Sequence, residues 1–228
     1  MRNPWLQARQ PRPPIGFTLR ALSSIAPSPN AMQQFLHVGC GPQNKTTLKG
    51  FNHSDWREVR FDIDPQVTPD ILGSLTDMGQ VQSGSMNAVF SSHNLEHLYP
   101  HEVPVALGEF LRVLSDDGFV VLTCPDLQSV CQAIVNDQLL EPLYQSPAGP
   151  ISPIDILYGH RGFIAQGNHF MAHKGGFTLK SLNQAFVQAG FAQVLSAKRA
   201  DAFDLWVFAS KTAIPDDVAK GIALQYFP

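Results

Sequence analysis

The feature that most constrains the fold is a short apolar strand that ends in a glycine turn. The strand FLHVG (35–39) runs directly into GCGP (39–42), and the next strand, VRFDI (59–63), carries the acid Asp62 near its end. Glycines after a strand permit a tight turn and let a ligand approach the main chain. A carboxylate about 20 residues later, at the end of the following strand, accepts hydrogen bonds from ribose hydroxyls. This order of elements predicts a nucleoside site at one edge of a parallel sheet.

Strands and helices alternate along the next part of the chain. An apolar run predicts a strand at 86–92, and apolar residues at helical spacing predict a helix from Val103 to Leu114. The segment SDDG (115–118) is predicted to turn the chain into another strand, FVVLTCP (119–125). Strands joined by such crossovers form a mostly parallel sheet with helices on both faces, so the fold class is α/β.

The C-terminal third continues the alternation of helices and strands, but its last strand is predicted to run in the opposite direction. Thr178 is predicted to cap a helix that ends at Gly190. Two strands follow, near 192–197 and 204–210, and a short polar turn joins them. A short connection of this kind favours antiparallel pairing, so the last strand of the sheet is predicted to be antiparallel.

Composition divides the chain into segments. Residues 1–30 are rich in Pro, Ser and Arg and are predicted to form an N-terminal arm, and residues 31–211 form the main domain. Within that domain, 127–177 is too long for a simple crossover and is predicted to be an inserted cap over the sheet edge. Residues 212–228 are predicted to be a C-terminal tail.

Charge and cysteine content restrict the partners and the compartment. The net charge of −3 does not favour a general binder of nucleic acid. The three cysteines, Cys40, Cys124 and Cys131, form no CxxC pair, which fits a reducing cytoplasm better than a disulfide framework. Apolar runs are far shorter than the ~20 residues that cross a bilayer, so no membrane partner is predicted.

The residues of the glycine turn indicate which ribose ligand binds. A dinucleotide fingerprint has a third glycine and several main-chain N–H groups directed at a pyrophosphate. Here Asn44 occupies the third glycine position, and Pro42 has no N–H group. A ribose ligand without phosphates loses nothing by these changes, and S-adenosylmethionine is such a ligand.

Four stretches together resemble a known family. VGCG, DIDP, SSHNLEHL and EFLRVLSDDGFVVLTCPD occur in the order seen in class I S-adenosylmethionine-dependent methyltransferases, and in particular in the methyltransferase type 11 group. The resemblance covers roughly residues 35–211. It implies a Rossmann-like sheet of seven strands, with the last strand antiparallel, and S-adenosyl-L-methionine as cofactor.

The resemblance also implies roles for individual residues. The glycine turn flanks the methionine portion of the cofactor, Asp62 takes the ribose hydroxyls, the residues after the third strand contact adenine, and the end of the fourth strand lies beside the sulfonium. The predicted cofactor-binding residues are Gly39, Cys40, Gly41, Asp62, Ile63, Ser74, Leu75, Ser91, Ser92 and His93.

The predicted function is methyl transfer to a small-molecule acceptor held under the cap. Methyl transfer mainly requires alignment of the acceptor and exclusion of water, but a base near the acceptor helps when a proton is lost. His93 is the candidate catalytic residue because histidine titrates near neutral pH. The candidate acceptor-binding residues in the cap are Tyr158, His160, Arg161, His169 and His173.

Two other functions are compatible with the sequence. His37 and Ser74 stand where many family members have acids, which leaves open a non-catalytic S-adenosylmethionine-binding protein, either a sensor or a partner subunit. His93, Glu96 and His97 spell HxxEH, the signature of one class of zinc metalloprotease. That motif follows a strand rather than lying within a long helix, so no metal ligand is predicted.

Overall fold

A computed structural model describes residues 32–228 of the chain. The predicted N-terminal arm, residues 1–30, lies outside the described residues. The strands are β1 (Gln33–Val38), β2 (Trp56–Asp62), β3 (Ile71–Leu72), β4 (Met86–Ser92), β5 (Leu114–Pro125), β6 (Tyr144–Ser146), β7 (Gly149–Ile151), β8 (Gln193–Arg199) and β9 (Asp204–Ser210). The α-helices are α1 (Val103–Val113), α2 (Leu127–Val135), α3 (Pro153–Tyr158), α4 (Arg161–Ala165), α5 (Leu179–Ala189) and α6 (Asp216–Tyr226).

Seven of these strands form one sheet in the order β3-β2-β1-β4-β5-β9-β8. The pairs from β3 to β5 are parallel, and β9 is antiparallel to both β5 and β8. The order reverses between β1 and β4, and ligands of open α/β sheets bind at such a switch point, beyond the carboxyl ends of the strands. The predicted fold class, with its antiparallel last strand, is confirmed.

Two apolar layers cover the sheet. On one face, buried side chains of α1 and α5, including Phe110 and Phe186, pack against strand residues. On the other face, Phe35 and Phe51 pack with residues of α6, including Tyr226. Central parallel strands are buried on both faces, which explains their continuous apolar runs.

The residues that cap both ends of α5 are those that the sequence predicts. The Thr178 side chain accepts a hydrogen bond from the N–H of Ser181, and the Ser181 hydroxyl accepts one from the N–H of Thr178. Gly190 adopts a left-handed conformation at the C-terminus, with φ of 100°. This reciprocal cap and the glycine fix both ends of the helix.

The predicted turn at 115–118 is a bulge inside β5 rather than a separate connection before the strand. β5 begins at Leu114, and the pairing of β4 with β5 shifts register between Met86 and Ala88. The carbonyls of this segment have partners after β9: the N–H of Lys211 donates to Gly118 O, and the hydroxyl of Thr212 donates to Asp116 O. These bonds fix the bulge against the residues that follow β9.

The C-terminal residues also differ from the prediction. Instead of a tail, residues 216–226 form α6, which buries Ala219, Ala223 and Tyr226 against the sheet. Asp216 and Asp217 lie in its first turn, where carboxylates interact favourably with the helix dipole. Within residues 32–228, no helix is long and apolar enough to cross a bilayer.

The predicted cap, 127–177, folds as a chain of short elements. It contains α2, the hairpin of β6 and β7, α3, α4 and a 3-10 helix at His169–Met171. Asp155 links α3 to α4, because its carboxylate accepts hydrogen bonds from the N–H of Ser152 and from the Arg161 side chain. Main-chain N–H groups of Lys174 and Gly175 donate to Glu96 O at 2.8 and 3.0 Å, which fixes the end of the cap to the region after β4.

Candidate active site

The glycine turn after β1 is fixed to the end of β2. Gly39 and Gly41 both have positive φ, 62° and 52°, a region that favours glycine. The N–H groups of Gly39 and Cys40 donate to Phe61 O at 2.8 and 3.3 Å. Burial raises the pKa of Cys40 to about 11, so this thiol stays protonated at neutral pH. The turn is therefore a main-chain structure rather than a nucleophile site.

Asp62 at the end of β2 is bound directly to this turn. Its Oδ2 accepts a hydrogen bond from the N–H of Gly41 at 2.8 Å, and its Oδ1 accepts one from the N–H of Asp64 at 2.9 Å. The side chain is buried, with 8% of its surface exposed. An ionised carboxylate has about four acceptor positions, so each oxygen keeps a lone pair for a ligand hydroxyl.

The space around Gly39 and Gly41 shows which part of the turn a ligand can reach. A Cβ atom built on Gly41 meets no heavy atom within 4 Å among the described residues, so this part of the turn is open. A Cβ on Gly39 would lie 1.8 Å from Oδ1 of Asn94, whose side chain covers that glycine. The open main chain at Gly41, beside an acid with free lone pairs, fits the ribose of a nucleoside.

Arg60, which the sequence analysis did not single out, braces this turn. Its guanidinium donates hydrogen bonds to the carbonyl oxygens of Gly41, Gln43, Val67 and Thr68. The turn after β1 and the loop after β2 are thus held by one side chain of β2. From the sequence alone, an arginine with this bracing role looks the same as an ordinary surface arginine.

His37, which replaces the acid found in many family members, is paired with an acid from the next strand. Its Nδ1 lies 2.6 Å from Oε1 of Glu58, and Oε2 of Glu58 accepts a hydrogen bond from the N–H of Lys45. Burial lowers the pKa of His37, although Glu58 opposes this effect. His37 is therefore held by a charged partner across β1 and β2.

The remaining predicted cofactor residues lie along the same edge. Ile63 follows Asp62 and is 43% exposed, whereas Leu75 packs against the core. The Ser74 hydroxyl is 2.9 Å from the hydroxyl of Thr76. Ile63 thus offers an apolar surface beside Asp62, where an adenine ring would lie next to the ribose.

The end of β4 turns sharply at His93. Ser91 is buried, and His93 has φ of 56°, which is rare for a residue with a side chain. The N–H of His93 donates to Thr123 O at 2.9 Å, and the Asn94 amide donates to Val38 O and Ser92 O. These bonds hold the strained turn, and such strain often marks a functional position.

A cavity of about 200 Å³ lies between this turn and the cap. Three of the predicted residues line it: His93, His160 and His173. The cavity is also lined by residues that the sequence analysis did not assign to it, among them Glu96, His97, Tyr144, Asp155, Phe163 and Met171.

The other predicted acceptor residues lie elsewhere in the cap. Tyr158 is 65% exposed, and His169 is exposed in its 3-10 helix. The guanidinium of Arg161 binds both oxygens of Asp155. None of the three is among the residues that line the cavity within the described chain.

Glu96, His97 and His173 form a compact cluster in the cavity wall. Each offers one ligand atom, and these atoms all lie within 4.8 Å of one another. Burial lowers the pKa of His173, so this ring favours its neutral form. Burial raises the pKa of Glu96, but interaction with His93 outweighs that effect and keeps it below its ordinary value.

The geometry does not match the metalloprotease signature. The 3-10 helix covers only Leu95–His97, and His93 precedes it in the left-handed conformation. The two histidines of HxxEH therefore do not project from adjacent turns of one α-helix. The third member of the cluster, His173, comes from the end of the cap, and the prediction of no metal ligand did not anticipate this grouping.

Comparisons with known proteins agree with this architecture. Residues 36–122 match the family model described as a methyltransferase domain. The comparison with curated proteins gives no significant match.

Solved structures with a similar fold include three methyltransferases. The CMeT domain of the citrinin polyketide synthase has a TM-score of 0.53 and 12% identity over 80% of this chain, which spans only 47% of that one. The 1,6-didemethyltoxoflavin-N1-methyltransferase of Burkholderia thailandensis, solved with S-adenosylhomocysteine, has a TM-score of 0.50 and 15% identity, covering 80% of this chain and 72% of that one. An S-adenosylmethionine-dependent methyltransferase of Mesorhizobium loti has a TM-score of 0.50 and 16% identity, and the match covers 78% of this chain and 91% of that one.

At such identities these likenesses concern the fold, and the match to the family model concerns the segment from β1 to β5. That segment contains the glycine turn, Asp62 and the strained turn at His93. Residues 36–122 are thus similar to a methyltransferase domain, and the sheet shares its fold with solved S-adenosylmethionine-dependent methyltransferases.

Proposed function

We propose that this protein transfers a methyl group from S-adenosylmethionine to a small molecule bound in the cavity under the cap. One observation carries the proposal: a single short segment, 91–97, borders both regions. Asn94 covers Gly39 of the glycine turn, while His93, Glu96 and His97 line the cavity. A cofactor bound at the turn and an acceptor in the cavity would meet at this segment.

The chain's own residues account for binding and orientation of the cofactor. Asp62 would accept the ribose hydroxyls, Ile63 would contact the adenine, and the open main chain at Gly41 would lie along the nucleoside. When bound, S-adenosylmethionine supplies an electrophilic methyl group for an in-line displacement. The protein's contribution is to align the acceptor and to keep water out of the cavity.

His93 would receive the proton that an acceptor hydroxyl, thiol or ammonium group loses. Its side chain is 45% exposed, and it lines the cavity directly after the end of β4. Burial lowers the pKa of His93, but the nearby Glu96 carboxylate outweighs this effect and raises it above the ordinary value. Removal of such a base typically costs about 10² to 10⁴ in rate.

The volume and the lining of the cavity indicate the class of acceptor. A volume of about 200 Å³ suits a small molecule, and its walls combine aromatic and imidazole groups with an acid. We keep the cytoplasm as the proposed location, because all three cysteines are free in the part of the chain that the structure describes. A nucleic-acid acceptor is not proposed, given the net charge of −3.

Calorimetric titration with S-adenosylhomocysteine tests the cofactor site. Asp62→Ala should abolish measurable binding, because it removes the only side chain that we assign to the ribose. Asp117→Ala is the matched control: it removes an exposed carboxylate from β5 and should leave the affinity unchanged. Unchanged affinity in Asp62→Ala, or no binding by the wild-type protein, would overturn this placement.

A screen of small acceptors tests the reaction itself. Methylated product and S-adenosylhomocysteine would be measured together by mass spectrometry. His93→Asn is the informative variant, since Asn tolerates the left-handed conformation but is no base at neutral pH. We expect product formation to fall by about a hundredfold or more, while affinity for S-adenosylhomocysteine changes much less. Tight cofactor binding without product for any acceptor would favour the non-catalytic binding protein instead.

A further inference from the structure

We propose that Glu96, His97 and His173 bind a divalent transition-metal ion in the wall of the cavity. Their ligand atoms all lie within 4.8 Å of one another, although His173 comes from the cap and the other two come from the segment after β4. Bonds of about 2.0–2.2 Å would place the ligand atoms of a tetrahedral zinc site about 3.5 Å apart. Small side-chain rotations therefore suffice to close the cluster around an ion.

Hydrogen bonds already orient both histidines for this role. Nδ1 of His97 lies 3.2 Å from Ala172 O, and Nδ1 of His173 lies 2.7 Å from Ile156 O. A carbonyl oxygen only accepts hydrogen bonds, so in the neutral form of each ring Nδ1 carries the proton and Nε2 has the lone pair that a metal needs. Metal-binding histidines characteristically donate their other ring N–H to a carbonyl or carboxylate in this way.

Glu96 provides the second, independent observation. Its side chain is 1% exposed, and neither carboxylate oxygen has a hydrogen-bond partner in the described part of the chain. Nδ1 of His93 lies 3.3 Å from Oε1, a distance typical of an ion pair, but the arrangement is not a hydrogen bond. A buried carboxylate without hydrogen bonds is costly, and a cation between Glu96 and the two imidazoles would remove that cost.

The main chain keeps the three ligands together. Glu96 O accepts hydrogen bonds from the N–H groups of Lys174 and Gly175, the two residues that follow His173. The rings of His97 and His173 are 4.7 Å apart at an interplanar angle of 75°. The cap is thus fastened to the sheet edge at the cluster itself, so the site exists only when the cap is folded.

The donor set indicates the kind of metal. Two imidazoles and one carboxylate suit Zn²⁺ and also Fe²⁺, whereas Mg²⁺ and Ca²⁺ prefer oxygen ligands. Three protein ligands leave at least one coordination position open toward the cavity, as in zinc sites that act on a bound molecule. If the proposed function is correct, an acceptor heteroatom would take this position, close to His93.

Metal binding by protein without a histidine tag tests the proposal directly. After treatment with a chelator and gel filtration, wild-type protein would be titrated with Zn²⁺ in a calorimeter, and with Fe²⁺ under anaerobic conditions. We expect one ion per chain for at least one of the two metals. Glu96→Gln and His173→Ala should each weaken binding at least tenfold, whereas the control His101→Ala, at an exposed histidine, should not.

Two further measurements keep the test decisive. Co²⁺ added to the wild-type protein should give the visible absorption bands of a four- or five-coordinate site with nitrogen and oxygen ligands, and this readout needs no variant to fold. No stoichiometric binding of either metal, or equal affinity in folded His173→Ala, would overturn the proposal. Titration with S-adenosylhomocysteine is independent of these results, so the metal site and the proposed methyl transfer fail separately.

Discussion

The N–H of Gly41 donates a hydrogen bond to Oδ2 of Asp62 at 2.8 Å, so the glycine turn and the acid form one rigid unit. The open main chain at Gly41 and the Asp62 carboxylate are therefore presented side by side at the end of β2. In the proposed complex a ribose would lie across both of them, and the remainder of the ligand would extend from the turn toward Asn94 and His93.

The two glycines of the turn should respond differently to alanine. Both have positive φ, which costs other residues about 1–2 kcal/mol. Gly41→Ala should lower the free energy of unfolding by about this amount only, because its Cβ meets open space. Gly39→Ala should cost at least twice as much, since Asn94 must also move and lose its bond to Val38 O.

Urea denaturation of the two variants measures this difference, and calorimetry with S-adenosylhomocysteine adds a second one. Gly41→Ala should bind the ligand more weakly, because the added methyl group occupies the space beside Asp62. Equal losses of stability in the two variants would contradict the role given to Asn94.

Arg60 should be important for the shape of the cofactor site although it need not touch the ligand. Arg60→Ala removes hydrogen bonds to carbonyls of two loops, and we expect a loss of about 2–3 kcal/mol in the free energy of unfolding. Affinity for S-adenosylhomocysteine should fall as well. Arg57→Ala, on the same strand but exposed, is the control and should change neither quantity.

The ion pair in the cap gives a pH dependence of stability. Burial raises the pKa of Asp155, but the hydrogen bonds from Arg161 outweigh burial and hold the pKa below the ordinary value of 3.8. A carboxylate with a lowered pKa stabilises the folded state above its ordinary pKa, and this contribution is lost as the pH falls through the folded value. Asp155→Asn should thus be less stable than wild type at pH 7.

Acid titration of unfolding measures this effect. The difference in stability between wild type and Asp155→Asn should be constant from about pH 7 to 5 and should shrink below about pH 4. Asp117→Asn, at an exposed position, serves as the charge control. A difference that persists unchanged at low pH would show that the amide disturbs packing rather than charge.

Helix α6 should be an essential part of the domain. Tyr226 is 6% exposed and packs against Phe51 and Phe119, with ring centroids 4.6 and 5.2 Å away. Tyr226→Ala should lower the free energy of unfolding by about 3 kcal/mol, as for other large buried side chains. Leu224→Ala, at a residue that is 72% exposed on the same helix, should have little effect in the same denaturation experiment.

Periodicity and turn chemistry predicted the sheet, the cap of α5 at Thr178 and the position of the glycine turn, because these depend on local residues. The turn expected at 115–118 is a bulge within β5, and the local pattern did not indicate that distant partners such as Thr212 bind its carbonyls. Helix α6 was predicted as a tail, although Asp216 and Asp217 followed by apolar residues at helical spacing do signal a helix start.

The walls of the cavity depend on how the cap folds, which local patterns do not determine. His173 was selected from composition alone, and only the folded cap brings it to Glu96 and His97. Arg161 was selected in the same way, but its guanidinium binds Asp155 within the cap. The HxxEH pattern was the one sequence signal that pointed to the cluster.

The attachment of the cap at Glu96 O has a mechanical consequence. Lifting the end of the cap would break the bonds from Lys174 and Gly175 and pull on the same three-residue helix that carries Glu96 and His97. Under the proposed function, an acceptor would therefore enter from the side of the cap that these bonds leave free, or its entry would disturb the cavity wall. These two hydrogen bonds therefore couple the position of the end of the cap to that of the cavity wall.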